Sequence, residues 1–175
     1  MYKTATEFLT RFVKPATIYK YGFNWSPMYR RTTAKIIEVS EDLHKVVITL
    51  KLNWKNRNYA GSIFGGSMLS ATDPIYMIML IQILGNDYVV WDKAVEATYR
   101  RPAKDQIFGK FEFSKDEISK LKEDVLTYKE VTLEKTMHLV DKNDKVVASF
   151  NKTLYIADKG FYKEKLKKRQ HKQQA

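Results

Sequence analysis

Apolar and polar residues alternate along six stretches of this chain and cease to alternate along one. Thr33 to Ser40 alternates, and Lys45 to Leu52 does so with Val46, Ile48, Leu50 and Leu52 on one face. Glu41-Asp42 supply a turn between them, so the pair predicts a hairpin. Val89 to Arg101 puts Trp91, Val95, Ala97 and Tyr99 together, with Lys93 interrupting and Pro102 ending the strand. Ile107 to Phe113 groups Ile107, Phe111 and Phe113. Val131 to Val140 groups Val131, Leu133, Met137 and Leu139, and Val146 to Ile156 groups Val146, Ala148, Phe150, Leu154 and Ile156. Asp141 to Asp144, with Asn143-Asp144 at the tip, turns the last two into a second hairpin.

Gly65 to Leu84 shows no strand period. It is apolar nearly all round and stops at Leu84-Gly85-Asn86, which predicts a long helix buried on most sides. Thr6 to Val13 has the spacing of a short amphipathic helix stopped by Lys14-Pro15. Ser114-Lys115-Asp116-Glu117 matches a capping box and predicts a surface helix from about Lys115 to Leu126. Tyr19 to Tyr29 has no clear period and is expected to cross the domain as an irregular connection, and Asn53 to Gly61 as a polar loop. Six strands around one helix, set between the second and third strands, predict an α+β fold whose mostly antiparallel sheet is covered on one face. A helix apolar on all sides needs a second surface besides that sheet, which points to a partner subunit.

Composition narrows the chemistry. The 175 residues hold no cysteine, which excludes disulfides, thiolate metal sites and a cysteine nucleophile. His44, His138 and His171 lack ligand spacing, so no metal site is expected. The 44% hydrophobic content fits a globular domain. One domain is expected over residues 1–158, followed by a basic tail over 159–175. Lys159 to Ala175 carries seven lysines and arginines against Glu164, more than half of the +11 net charge. The tail is expected to be a solvated helix rather than a nucleic-acid arm. The N-terminus lacks the apolar run of a secretory signal, and Ile75 to Leu84, at ten residues, is short for a membrane span. A cytoplasmic protein, bound to neither membrane nor nucleic acid, is the expectation.

The chemistry concentrates between Asn58 and Asp73. Gly65-Gly66 open the long helix, and without side chains they allow another molecule close to the backbone. The first amides of a helix lack intrahelical partners and lie at the positive end of its dipole, a disposition suited to a carbonyl oxygen gaining negative charge. Asp73 stands two turns on, with Ser70 and Met77 on its helix face. Its carboxylate lies in an apolar helix, and Pro74 behind it removes an amide donor. Asp73 therefore either caps a helix broken at Pro74 or carries reactive chemistry.

Asn58, a position six residues on just before Gly65-Gly66, and an Asp nine beyond that position make a pattern that resembles the phenylacetyl-CoA thioesterase branch of the hotdog superfamily. Tyr99-Arg100-Arg101-Pro102-Ala103 and the order of elements resemble it as well, and an uncharacterised thioesterase-like branch is similar too. The resemblance covers roughly residues 30 to 157. It implies a hotdog fold and an acyl-CoA thioesterase needing no cofactor beyond its coenzyme A thioester substrate. Asp73 would act as nucleophile or as a base directing water. The Gly66 amide, with that of Gly65, would bind the oxyanion, and Asn58 would orient water or the thioester. The resemblance also implies a homodimer, or a homotetramer of two such dimers, with sites shared between subunits.

Phe64 stands where that family has histidine, and Trp91 stands where a hydroxyl often helps hold water. Both changes favour an alternative, a non-catalytic protein binding acyl-CoA or a lipid-like ligand. Phe64, Ser70, Met77 and Trp91 are the candidate lining of the acyl site. Lys93, Arg100 and Arg101 are candidates for coenzyme A phosphates. Lys93 could instead pair with Asp73 or mark a bulge, the two arginines could be a solvated edge, and Met77 with Met79 could be core filling.

Overall fold

The alternating stretches form one antiparallel sheet. The computed structural model describes residues 13–174. Its strands are β1 (Ala34–Val39), β2 (Lys45–Leu50), β3 (Tyr88–Tyr99), β4 (Ile107–Glu112), β5 (Glu130–Asp141) and β6 (Val146–Asp158). They lie in the order β1-β2-β4-β5-β6-β3, and every neighbouring pair is antiparallel. The inner face carries Ile36, Val46, Ile48, Leu50, Ile107, Phe111, Met137, Leu139, Phe150, Leu154 and Ile156, all buried. Of the helix expected over Thr6 to Val13, only Val13 falls among the described residues.

The helices are α1 (Pro15–Trp25), α2 (Pro27–Arg31), α3 (Gly65–Thr72), α4 (Ile75–Leu84), α5 (Lys115–Tyr128) and α6 (Lys159–Gln174). Tyr19 to Tyr29, expected to be irregular, is helical in α1 and α2. Each of these helices has a proline in its first turn, where no amide bond is lost. Their aromatic residues pack on one another, Tyr19 stacking on Phe23 and Phe23 meeting Tyr29 edge-on. α1 also closes one side of the sheet. Asn24 donates to the Ile36 carbonyl and accepts from the Ile36 amide, both at 2.8 Å, which occupies the outer edge of β1. β3, at the other edge, has no such cover among the described residues.

Gly65 to Leu84 is a 20-residue helical span, long and apolar enough to cross a membrane by length and composition alone. Half of it is buried against the sheet, as a core helix is. It is interrupted at Asp73-Pro74 and ended by Gly85 at φ +84°, a conformation that favours glycine. On α5, Ser114 Oγ accepts from the Glu117 amide at 3.0 Å while Glu117 accepts from the Ser114 amide at 2.9 Å. Ser114→Ala should therefore cost about 1 kcal/mol in urea unfolding.

Basic residues 159 onward form α6, seated on the outer face of the sheet. Tyr162 meets Trp91 edge-on at 5.0 Å, and Trp91 stacks on Tyr155 at 4.4 Å. Lys165 pairs with Glu130, which also accepts from the Tyr155 hydroxyl.

Candidate active site

The core helix has two sides. Met68, Ala71, Thr72, Ile75, Tyr76, Met79 and Leu80 are buried on the sheet. Gly66, Ser70, Asp73, Met77 and Ile81 follow the opposite stripe at steps of three and four residues, and none of them is buried. Most of the candidate chemistry therefore lies along one open face, with Gly66 and Asp73 about 10 Å apart along the axis.

Two aromatic rings close on the glycines. A β-carbon on Gly65 would lie 3.0 Å from the Tyr99 ring, and one on Gly66 would lie 2.3 Å from Phe64 Cε1. The Tyr99 hydroxyl donates to the Gly65 carbonyl at 3.0 Å. The Ser67 and Met68 amides return to the Phe64 carbonyl, whereas those of Gly65 and Gly66 have no acceptor among the described residues. They are the two free donors at this end of α3.

Asn58 lies in the loop before these glycines, and its side chain is engaged there. It accepts from the Ser62 amide at 3.0 Å and donates to Ser62 Oγ at 3.0 Å. Buried Asn56 braces the same loop. Its side chain bonds Thr33, the Lys51 carbonyl and the Asn53 amide, and its carbonyl accepts from the Phe64 amide at 2.7 Å.

At the helix break, side chains capture backbone carbonyls. The buried Tyr29 hydroxyl donates to Ala71 O at 3.1 Å, and burial holds that phenol far above its ordinary pKa. Lys152, on β6, donates to the Asp73 carbonyl at 2.8 Å and to Asp73 Oδ1 at 2.9 Å. Its side chain is 1% exposed, against 54% for that of Asp73. Asp92 Oδ1 on β3 lies 3.0 Å from the same ammonium, but too poorly aligned to form a hydrogen bond. Burial pushes the Asp92 carboxyl pKa upward; Lys152 opposes this and Asp73 adds to it.

The sequence reading passed over this pair of residues. Lys152 occupies the gap in the inward series Phe150, Leu154, Ile156, and that charged residue on an apolar period was the available signal. Asp92 was hidden by a bulge. The β3–β6 register shifts between Asp92 and Ala94, with Lys93 as the extra residue. Val90, Asp92, Val95, Ala97 and Tyr99 face inward, opposite Ile156, Leu154, Lys152, Phe150 and Ala148. Trp91, expected beside Val95 and Tyr99, is on the outer face beneath α6. Lys93 is exposed in the bulge, and it is Lys152, not Lys93, that pairs with Asp73.

Arg100 and Arg101 are exposed, and both amides donate to the Val147 carbonyl. Arg101 lines a groove between the β3–β4 connection and the β5–β6 turn that includes neither Asp73 nor the glycines. Ser70 is exposed, Met77 half-buried and Met79 fully buried. Among the described residues no group of three or more acidic or histidine side chains could hold a metal ion.

A family model described as a domain of unknown function, DUF4442, matches residues 17–156. No curated protein matches the chain. Among solved structures, a Pseudomonas aeruginosa protein of unknown function described as a probable thioesterase aligns with a TM-score of 0.73 at 16% identity, over 82% of this chain and 96% of that one. The E. coli PaaI protein of the phenylacetic acid degradation operon aligns at 0.56 and 15% identity, over 79% and 89%. Zebra fish thioesterase superfamily member 2 gives 0.56 and 19%, over 80% and 94%. At these identities the likeness is one of fold. It shows the α+β hotdog arrangement.

Proposed function

The chain belongs to the DUF4442 family, and from that premise and its hotdog fold we propose that it is a hydrolase of acyl or aryl thioesters, coenzyme A thioesters first among them, working as a homo-oligomer. The observation that carries this reading is the open helix stripe. It combines two free amide donors at Gly65 and Gly66 with a carboxylate at Asp73 held in an ion pair. Several solved neighbours of the same fold are named thioesterases.

The reaction needs only these groups and water. Asp73 takes a proton from water as its oxygen attacks the thioester carbonyl. The carbonyl oxygen gains negative charge against the Gly65 and Gly66 amides. Collapse of the tetrahedral species breaks the C–S bond and releases the thiolate and the carboxylic acid.

Gly66 and Asp73 of one chain are too far apart along the helix to act on one carbonyl, so the glycines of one subunit serve the aspartate of another. Two features favour such pairing. Among the described residues the β3 edge is open while the β1 edge is occupied by Asn24. The apolar side chains Phe64, Ile81, Val95 and Tyr99 are at least a third exposed in the single chain. Ile81→Glu should keep the circular dichroism of the parent, run as a monomer on sizing, and lose turnover. A fully active Ile81→Glu monomer removes the shared site.

A second reading is supported by Phe64, whose ring lies against Gly66 where the resembling family has a polar side chain. In it the protein binds acyl thioesters without cleaving them. A thioester panel followed by thiol release decides: cleavage selects the hydrolase, and tight binding without thiol selects the binder.

A further inference from the structure

We infer that Lys152 is the positioning residue for Asp73: its ammonium, braced by Asp92, fixes the Asp73 carboxylate and backbone together beside the open helix face. The inference rests on the hydrolytic reading of Asp73 and extends it to two residues outside the helix. An ammonium taken out of water is costly unless its protons are matched. Lys152 is buried between Phe150 and Leu154, so its place in the apolar stripe requires partners. It donates to two oxygens, Asp73 O and Asp73 Oδ1, at 2.8 and 2.9 Å, and has a third, Asp92 Oδ1, at ion-pair distance of 3.0 Å.

The two accepting oxygens belong to one residue, which makes the contact a chelate. Holding the carboxylate and carbonyl of Asp73 with one nitrogen fixes the side chain relative to its own backbone. The helix break makes this possible, because the first amide bond of α4 goes from Ile78 to the Pro74 carbonyl at 3.1 Å and leaves that of Asp73 to Lys152. The sheet supplies the rest. The bulge at Lys93 brings both Val95, opposite Lys152, and Asp92, opposite Leu154, to the inner face.

The lysine facing Lys152 is committed elsewhere. Lys135, opposite Lys152 on β5, is bonded to Glu117 at 2.7 Å and lies 4.9 Å over the Phe113 ring. Meanwhile more than half of the Asp73 side chain is exposed, the state of a group anchored at one oxygen and open at the other.

Lys152→Met alone leaves two carboxylates facing each other, so the test combines it with Asp92→Asn, which removes both inner charges at nearly constant volume. In the full chain, with the best substrate of the thioester panel, the double variant should lose about 10-fold to 100-fold in kcat with KM little changed, the scale for a displaced reacting group. Added to Asp73→Asn, the same two substitutions should cost nothing further. A structural contribution alone would slow both backgrounds by the same factor and overturn the inference, as would a double variant as fast as the parent. Crystal structures of parent and double variant give a second measurement that needs no substrate. A displaced Asp73 carboxylate supports the inference and an unmoved one overturns it, even if no thioester is cleaved and the hydrolytic reading itself has failed.

Discussion

Lys152→Met should lower stability by about 3 kcal/mol at neutral pH, the low end for breaking a buried ion pair by removing one partner, because half-exposed Asp73 can turn to water. Asp92 has less freedom, with only 20% of its side chain exposed. Urea unfolding of parent and variant would show the loss as a lower midpoint at unchanged slope. The loss should also depend on pH in a definite direction. Burial raises the Asp92 pKa even with Lys152 beside it, so the folded chain holds that proton more tightly than the unfolded chain does. The stability tied to this proton is fully present below the ordinary carboxylate range and disappears as pH rises through the raised value. Without the ammonium that value rises further, because the charge of Asp73 then acts unopposed. The deficit of Lys152→Met should therefore narrow on acidification. A deficit that is flat with pH, or that widens in acid, would show that the charges of the triad are not what the lysine balances.

Why the triad escaped the sequence reading is a matter of register. Period-2 alternation located all six strands and both hairpins, because a half-buried strand writes its burial into its sequence. Loss of that period located the core helix, and Gly85 its end. A bulge adds one residue to the count without any compositional mark, so every β3 residue before Lys93 was assigned to the wrong face relative to those after it. That single residue moved Trp91 out beneath α6 and Asp92 in beside Lys152. The helices over Pro15 to Arg31 were missed for a different reason. Aromatic residues on several sides of α1 and α2 pack against each other as well as against the core, which blurs the 3.6-residue stripe on which the reading depends. At the site, Gly65, Gly66 and Asp73 could be picked out because their chemistry is local to one helix. Whatever holds Asp73 in place comes from two strands distant in sequence, and only the folded sheet brings them together.

Asp73→Asn should abolish or nearly abolish thioester hydrolysis, by about 100-fold or more in kcat, the range for loss of a positioned general base. The substitution isolates proton transfer. Asparagine keeps the size of the side chain and an oxygen able to accept from Lys152 Nζ, so the contact now made at 2.9 Å can persist. What it lacks is the capacity to take a proton from the attacking water. Substrate affinity should therefore hold, since the Gly65 and Gly66 amides and the apolar stripe are untouched, and the loss should fall on kcat rather than KM. Oligomeric state should hold as well, because Phe64, Ile81, Val95 and Tyr99 are unchanged. The neutral variant also leaves Lys152 with Asp92 as its only charged partner, so a modest change in stability is expected and must be separated from turnover by assaying well below the unfolding transition. Thiol release by parent and variant, at saturating and at limiting thioester, makes the measurement. Turnover by Asp73→Asn within a few-fold of the parent would mean that water is directed by some other group, and the open stripe would then be a place where acyl groups bind rather than where they are cut.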